Sequence, residues 1–465
     1  MTKSLKTILS ATVAMALGCG TAMAEGYQVN TLSTKQLGMG HTGVALKLGS
    51  ESMYFNPAGL GFLDKTLDLS ASVTGIQPTC TATIDGKKYE TDCDMSTPMQ
   101  VAAAFKIYPN LSAGIAFYTP YGSSINWTNN WPGSVLNQEV NLKVFTIQPT
   151  FAWRPIEKLS IGAGLTMSWG TVDLNKGLVN APTFDTMLGL LQATGQIPGF
   201  TPFGETCPAS VNLKGTTKMS FGFNVGALYE VSDKVNVGAS FRSRTPMRVK
   251  AGDAKISYAN ELAEGVLESR IGVLNQAQFT AMMPCPWVLS MGASYKPIDK
   301  LTLAFDARLT GWHTYQQLNI EFLSEQLEGF NQNIQKHYKN AWCFSVGGQY
   351  AVTKRFDARL GLMIDTTPVR KEYYNPETPG MTKIEPTVGL SFRPVRGLSI
   401  DLAFMYIHGC GAKGATCEYD DLIAKQINGM SAQMGMPMNL PETAKMTADY
   451  KLHAFAPSIG VSYAF

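Results

Sequence analysis

No stretch of this 465-residue chain approaches the ~18 uninterrupted apolar residues that a membrane-crossing helix needs. Charge is scarce too. Asp, Glu, Lys and Arg make up 16%, against roughly 25% in an average soluble domain. There is no basic face for nucleic acid, and the net charge of +3 falls to +1 once Lys3 and Lys6 are removed (3 − 2 = 1). Only five histidines occur: His41, His313, His337, His408 and His453. Neither a G-x-S-x-G elbow nor an H-E-x-x-H pair is present, which weighs against a hydrolase. No C-x-x-C spacing suggests zinc. The sequence therefore points away from an enzyme, a cofactor and a nucleic-acid partner.

What the chain does have is alternation. In its last residues Phe455, Pro457, Ile459, Val461, Tyr463 and Phe465 share one parity, while Ala454, Ala456, Ser458, Gly460, Ser462 and Ala464 share the other. Strand side chains alternate between faces, so this segment has one apolar and one small or polar face. A closing strand with a terminal aromatic residue suits an outer-membrane barrel and the machinery that assembles it. Taking apolar parity as the lipid face gives fourteen strands. They lie near 66–76, 98–108, 111–127, 139–153, 159–173, 218–230, 235–250, 286–296, 301–315, 341–351, 356–369, 382–393, 398–408 and 453–465. Short turns follow Tyr108, Trp153, Tyr229, Tyr295, Tyr350 and Phe392, placing these rings in a periplasmic girdle. The pentapeptide Phe-Asp-Ala-Arg-Leu occurs at 305–309 and again at 356–360, which fits a repeating hairpin.

The expected organisation is all-β: a 14-stranded antiparallel transmembrane barrel (66–465) preceded by two short units. Residues 1–24 read as a signal peptide, with basic Lys3 and Lys6, an apolar Ile8 to Leu17 and the site Ala22-Met23-Ala24. Export to the bacterial outer membrane follows. Residues 25–65 lack period-2 alternation and have no core of their own. Tyr27, Met53, Tyr54, Phe55 and Phe62 offer anchors, so the segment is expected inside the barrel as a plug. Residues 181–195 and 258–283 look helical, with Leu188, Leu190, Leu191 and then Leu262, Val266, Ile271, Leu274 as apolar stripes. Such helices either cap the barrel or offer a landing surface outside the cell. Cys80 with Cys93, and Cys410 with Cys417, are expected as local disulfides. Cys207 and Cys285 can join neighbouring loops, and Cys343 reads as an inward thiol. By parity Arg242, Arg244, Arg308, Arg359, Lys383 and Arg393 point inward, with Asp306, Asp357, Asp401 and Glu385. An arginine can hold a cargo carboxylate; alternatively Asp306 with Arg308, and Asp357 with Arg359, neutralise each other in the wall.

At Gly26-Tyr-Gln-Val-Asn30, Gly38-Met-Gly40, Asn56-Pro57-Ala58 and Ala116-Phe-Tyr-Thr-Pro-Tyr-Gly122 the sequence resembles the FadL-type family of long-chain fatty acid and hydrocarbon transporters. The resemblance implies a lumen plugged by an N-terminal hatch and a third strand kinked inward, opening a lateral route to the bilayer. It makes Gly38, Gly40, Asn56, Pro57 and Ala58 hatch and gating residues, and Pro120, Tyr121 and Gly122 the kink. Pro120 lacks an N–H and breaks the ladder, while Gly122 allows unusual dihedrals. Asn56 would stand opposite the kink, its amide pairing with the wall backbone left open there. The implied partners are an apolar cargo, outer-membrane lipid and lipopolysaccharide, around a single barrel. A general diffusion porin for small polar solutes is the rival, distinguished by an open, hydrated lumen.

Overall fold

The computed structural model describes residues 26–271, 277–324, 328, 331–433 and 438–465. The signal peptide and Leu274 lie outside them. Fourteen antiparallel strands close into a ring: β1 (Leu67–Thr74, continued by Gln77–Ile84), β2 (Met99–Tyr108), β3 (Leu111–Asn126), β4 (Glu139–Ile156), β5 (Leu159–Gly177), β6 (Ala209–Thr216 and Ser220–Ser232) and β7 (Val235–Arg242 and Thr245–Tyr258), then β8 (Ala277–Cys285 and Val288–Ile298), β9 (Leu301–Thr310 and Gln317–Phe322), β10 (Gln332–Gln335 and Ala341–Ala351), β11 (Phe356–Asp365), β12 (Lys383–Phe392), β13 (Leu398–Gly409 and Ala412–Asp420) and β14 (Thr443–Ala464). Each strand pairs with its neighbour in sequence. The ring closes where β14 pairs with β1, Asp68 opposite Ala464 and Thr74 opposite Ser458. Leu67 and Phe465 exchange both backbone hydrogen bonds at 3.0 Å, sealing the periplasmic seam. All six aromatic residues before the short turns are exposed on the outer wall.

The strands run further outward than apolar parity indicates, for a physical reason. On β14 the odd positions face out throughout, but the chemistry of the faces exchanges near His453. Below it Phe455, Ile459 and Val461 face lipid and Ser458 faces the lumen. Above it Lys445, Asp449 and Lys451 face out, while Met446, Tyr450 and Leu452 face in. β4 repeats the exchange: inward Val140, Leu142 and Val144 give way to Thr146, Gln148 and Thr150. The lower barrel is greasy outside and polar inside, as a membrane wall must be. The upper barrel is the reverse, as a water-surrounded barrel must be.

Three helices lie above the rim: α1 (Ala181–Ala193), α2 (Glu261–Ile271) and α3 (Leu422–Gln433). α2 is shorter than 258–283, because Ala277–Cys285 joins β8, and α3 carries no sequence signal in the reading above. Leu188 and Leu191 of α1 pack with Val266 and Leu267 of α2 and Ile423 and Ile427 of α3 in one cluster. The apolar stripes therefore face each other as a cap, with Leu190 left exposed.

Candidate functional site: the hatch, the kinked strand and the chamber between them

Residues 26–65 fill the lumen, with nearly every residue from Tyr27 to Leu63 buried. Apolar packing accounts for part of this, but the seat is mostly polar and glycine-lined. A Cβ at Gly38 would stand 2.8 Å from the Cα of Gly389, and one at Gly40 (φ +66°) 2.8 Å from Val346 O. The hatch loop thus lies directly against the wall at Gly347, Gly361 and Gly389, where any side chain would hold the backbones apart. Gly40 N–H donates to Thr387 Oγ1 at 2.9 Å. Gly43 and Val44 N–H both donate to Asp306 Oδ2, at 2.6 and 3.0 Å. Gln148 and Asn224 donate to Met53 O, and Ser240 to Phe55 O.

Asn56 caps the 3-10 turn Pro57–Phe62, its Oδ1 accepting from Ala58 N–H at 3.1 Å. Its Nδ2 donates to Val44 O (2.8 Å) and to Ala227 O on β6 (2.9 Å). Both amide donors are used. Asn56 therefore does not face the kink, as the resemblance implied; it pins the hatch to β6, where Gly226 and Gly238 leave room for the amide. Asn56→Ala leaves two buried carbonyls without these donors, and each unmade bond costs about 1–3 kcal/mol. A fall in denaturant midpoint of the folded barrel in detergent, with an unchanged slope, is the expected result.

His41 (φ 58°) sits among the rings of Tyr54 and Phe55, 5.9 and 4.8 Å away. Burial, followed by the charges of Arg308 and Arg242, pushes its imidazole down to about 3. The unfolded chain therefore binds a proton there that the seated hatch does not. Stability contributed by this group rises with pH between about 3 and the ordinary imidazole value of 6.5, and is lost as pH falls through that window. His41→Gln should flatten the pH dependence of melting between pH 4 and 6, measured by tryptophan fluorescence.

β3 is irregular around Pro120. Its register on β4 shifts between Tyr118 and Tyr121, across Thr119 and Pro120. Residues 111–117 have outward positions at Ile115 and Phe117, whereas every residue from Tyr118 to Ile125 is buried. The ladder with β2 ends at Gln100 opposite Tyr118. Above that point the start of the hatch supplies what β2 does not. Val29 N–H donates to Pro120 O at 2.9 Å, Gly122 N–H to Tyr27 O at 2.8 Å, and Gln28 stands opposite Tyr121. Beyond the end of the β2 ladder, β3 is thus bonded to the start of the hatch.

Above this stitch is a narrow apolar cavity with ≈ 40 Å³ of free space. Val140, Leu142, Val144, Leu213, Val249, Phe279 and Ile320 line it, and Tyr27 of the hatch floors it. Tyr27 is wedged among Tyr121, Trp312 and Tyr315 at 4.8 to 6.1 Å, its hydroxyl bonded to Pro284 O. Two polar residues, Thr217 and Glu377, reach the cavity, and Glu377 is paired with Lys336 at 3.2 Å with both side chains buried. Parity reasoning missed this chamber, since its walls are the inverted upper strands.

The four candidate arginines have separate fates. Arg242 and Arg308 line one small polar cavity beside His41, Asp306 and Asn224. Arg242 donates to Tyr54 O at 2.7 Å and lies over the rings of Tyr54 and Tyr118 (4.5 and 5.6 Å), so it touches hatch and β3 together. Arg359 instead belongs to a periplasmic-side network, 3.8 Å from Asp357 and 3.6 Å from Asp401. Arg393 grips the same Asp357, and Lys35 of the hatch reaches Asp401 at 3.9 Å. Of the two expected wall pairs, Asp357 with Arg359 forms, while Asp306 turns to the hatch amides. Arg244 is not in the lumen: it is exposed in the break between the two parts of β7.

None of the seven described cysteines is joined in a disulfide. Cys410 and Cys417 cannot bridge, because the two parts of β13 run on along the same partner, His408 opposite His453 and Cys417 opposite Met446. The intervening residues extend rather than fold back, well beyond the ~7 Å Cα limit of a disulfide. Cys80 and Cys93 come into one buried cluster. They remain unbonded, Cys93 Sγ accepting from Asn126 N–H at 3.5 Å. Cys207 and Cys285 are likewise buried and unpaired.

A fourteen-strand wall, stoppered from within and with one strand irregular at Pro120, defines a plugged transmembrane barrel. Residues 15–465 match the model of the family described as outer membrane protein transport protein (OMPP1/FadL/TodX), and the chain belongs to that family. It is 23% identical to outer membrane protein P1 of Haemophilus influenzae, over 85% of this chain and 88% of that one. Identity to the long-chain fatty acid transport protein of Escherichia coli K12 is also 23%, over 88% of this chain and 94% of that one. Among solved structures, a Pseudomonas aeruginosa FadL homologue superposes with a TM-score of 0.76 at 18% identity, covering 95% of this chain and all of that one. The Pseudomonas putida toluene transporter TodX gives 0.67 at 14% identity, with 95% and 100% covered. The chain is thus an outer-membrane transport protein and not an enzyme.

Proposed function

We propose that this barrel passes hydrophobic solutes from the outside into the outer membrane, without an energy source, through the chamber and the opening beside β3. The observation that carries this reading is the juxtaposition of an apolar chamber, a hatch residue as its floor, and a strand irregular at Pro120 below it. Burial of an acyl chain is worth about 0.8 kcal/mol per CH₂, so an oily cargo prefers the chamber to water and the bilayer to both. Displacement of Tyr27 and its neighbours would open the floor, and an opening beside Pro120 would give the sideways exit. Gly38, Gly40 and Asn56-Pro57-Ala58 are then the hinge and anchor of the moving piece.

Fatty acids and aromatic hydrocarbons both suit the chamber, and the names of the relatives above span both. An acidic head has a place to pause: the cavity shared by Arg242 and Arg308, against hatch and β3 together. Arg359 is occupied by carboxylates and Arg244 lies outside, so neither serves the cargo. Leu213→Asp, which puts a charge into the chamber wall, should abolish binding of a fluorescent long-chain fatty acid to the purified barrel. It should leave the heat-modifiable mobility of the folded barrel unchanged. Undiminished binding by that variant would remove the chamber from the route, and large steady conductance of the unaltered protein in planar bilayers would favour a porin instead.

A further inference from the structure

Arg244, displaced from the lumen, belongs to a feature of the outer wall. A row of stacked and tilted rings, Phe223, Phe241 and Trp287 on β6, β7 and β8, runs around the barrel with centroids 6.0 and 6.3 Å apart. Its counterpart on β3 to β5 is Phe117, Phe145 and Trp169, with spacings of 6.1 and 5.8 Å. Both rows sit where the faces exchange chemistry, which fixes them as the outer interfacial girdle.

Directly beyond the first row the wall turns basic. Lys218, Arg244, Arg248 and Lys250 are all exposed on the adjoining strands β6 and β7. Lys218 N–H donates to Arg248 O at 3.1 Å, so these two residues are cross-strand neighbours. Among the described residues none of the four makes an ion pair, whereas the next cation outward, Lys214, is held by Asp173 at 3.2 Å. At the same level β4 offers only the half-buried Lys143, and β13 and β14 offer His408 and His453. Lys339, Arg370 and Lys371 form a second exposed basic group beyond Trp342, with the exposed Glu372 adjoining them in sequence.

Four cations without ion pairs on two adjoining strands, Lys218 beside Arg248, repel one another, and a surface facing only water and salt would gain nothing from the arrangement. At the headgroup level the balance reverses, since phosphates there are fixed at the height of the side chains. Guanidinium groups also take phosphate through paired hydrogen bonds. We infer that Lys218, Arg244, Arg248 and Lys250 form a binding surface for a phosphorylated outer-leaflet lipid, the lipid A part of lipopolysaccharide, whose acyl chains lie along Met219, Phe221, Phe223 and Phe241. Phe221, Phe223 and Met219 are exposed below Lys218, Arg248 and Lys250, and Arg244 lies among them, level with Gly222. The inference depends on the outer-membrane placement and not on the cargo route, so neither falls with the other.

The test is native mass spectrometry of the full-length mature barrel in detergent, with bis-phosphorylated lipid A added. The unaltered protein should retain one lipid A through activation that strips phosphatidylcholine. The variant K218Q/R244Q/R248Q/K250Q should lose retention by at least about tenfold, each cation near a charged surface contributing about a factor of five. Lipid A stripped of its phosphates should bind the unaltered barrel no better than the variant binds the phosphorylated form. The four side chains touch no lumen group, and fatty-acid binding reports that the barrel is intact. Should the quadruple variant not fold, R244Q/R248Q carries the same comparison with a smaller loss. Equal retention by variant and unaltered protein, or equal retention of phosphate-free lipid A, would overturn the assignment.

Discussion

A chain carrying Gln28→Cys and Tyr121→Cys will lock its hatch to the third strand and stop taking up cargo until the bond is reduced. Gln28 and Tyr121 face each other in an antiparallel bridge whose hydrogen bonds flank them, from Val29 to Pro120 and from Gly122 to Tyr27. That makes them a non-hydrogen-bonded pair, where Cα atoms approach to about 4.5 Å and side chains are nearest, inside the range a disulfide tolerates. Both side chains are buried, so the pair is shielded from competing thiols until the hatch moves. Uptake of labelled fatty acid by cells should fall to the level of cells lacking the protein and recover with a membrane-permeant reductant. Undisturbed uptake by a fully crosslinked protein would show that this stitch stays closed during transport.

The second large effect concerns the glycine seat. Gly347 and Gly361 face Met39 and Gly40 so closely that a Cβ on either would run into hatch backbone. Gly347→Val with Gly361→Val leaves a rigid wall, whose neighbouring carbonyls on Val346 and Leu362 lie where a Cβ on Gly40 would meet them, and a hatch that cannot retreat without breaking its bonds to Thr387 and Asp306. The hatch should be displaced while the wall, hydrogen-bonded all round, persists. Planar bilayers should then record steady ion currents where the unaltered protein is silent. A variant that remains silent and folded would mean that the seat has more give than close-packed backbones allow.

Much of the wall was legible in the sequence because lipid imposes one rule on every strand. Ala341–Ala351 falls on the expected range, and most other membrane portions fall within a few residues of theirs. The same rule hid the upper barrel. Val211, Leu213, Met446 and Leu452 are apolar because they face inward above the bilayer, so reading apolar parity as the lipid face relegated 209–216 and 443–452 to loops. Pro120 was readable as a break because a missing donor is a local property. Where Asn56 would point was not, since its partner Ala227 is set by the path of the hatch across the lumen. The two Phe-Asp-Ala-Arg-Leu copies make the same point. Asp357 stays with the arginines of the wall, whereas Asp306 serves Gly43 and Val44, and only the plug distinguishes them. Arg244 was misplaced by an irregularity between the two parts of β7, which alternation across an unbroken strand cannot register.

The hatch touches strands from one end of the chain to the other: Met53 meets β4, Asn56 β6, Gly43 β9, Gly40 β12, and Thr34 bonds Ser458 on β14 at 2.7 Å. A stopper held at so many stations cannot be threaded into a finished tube. It must already be in position when the last strand meets the first, so the cylinder is cast around its own core, and any lesion in that core becomes a lesion in biogenesis as well as in passage.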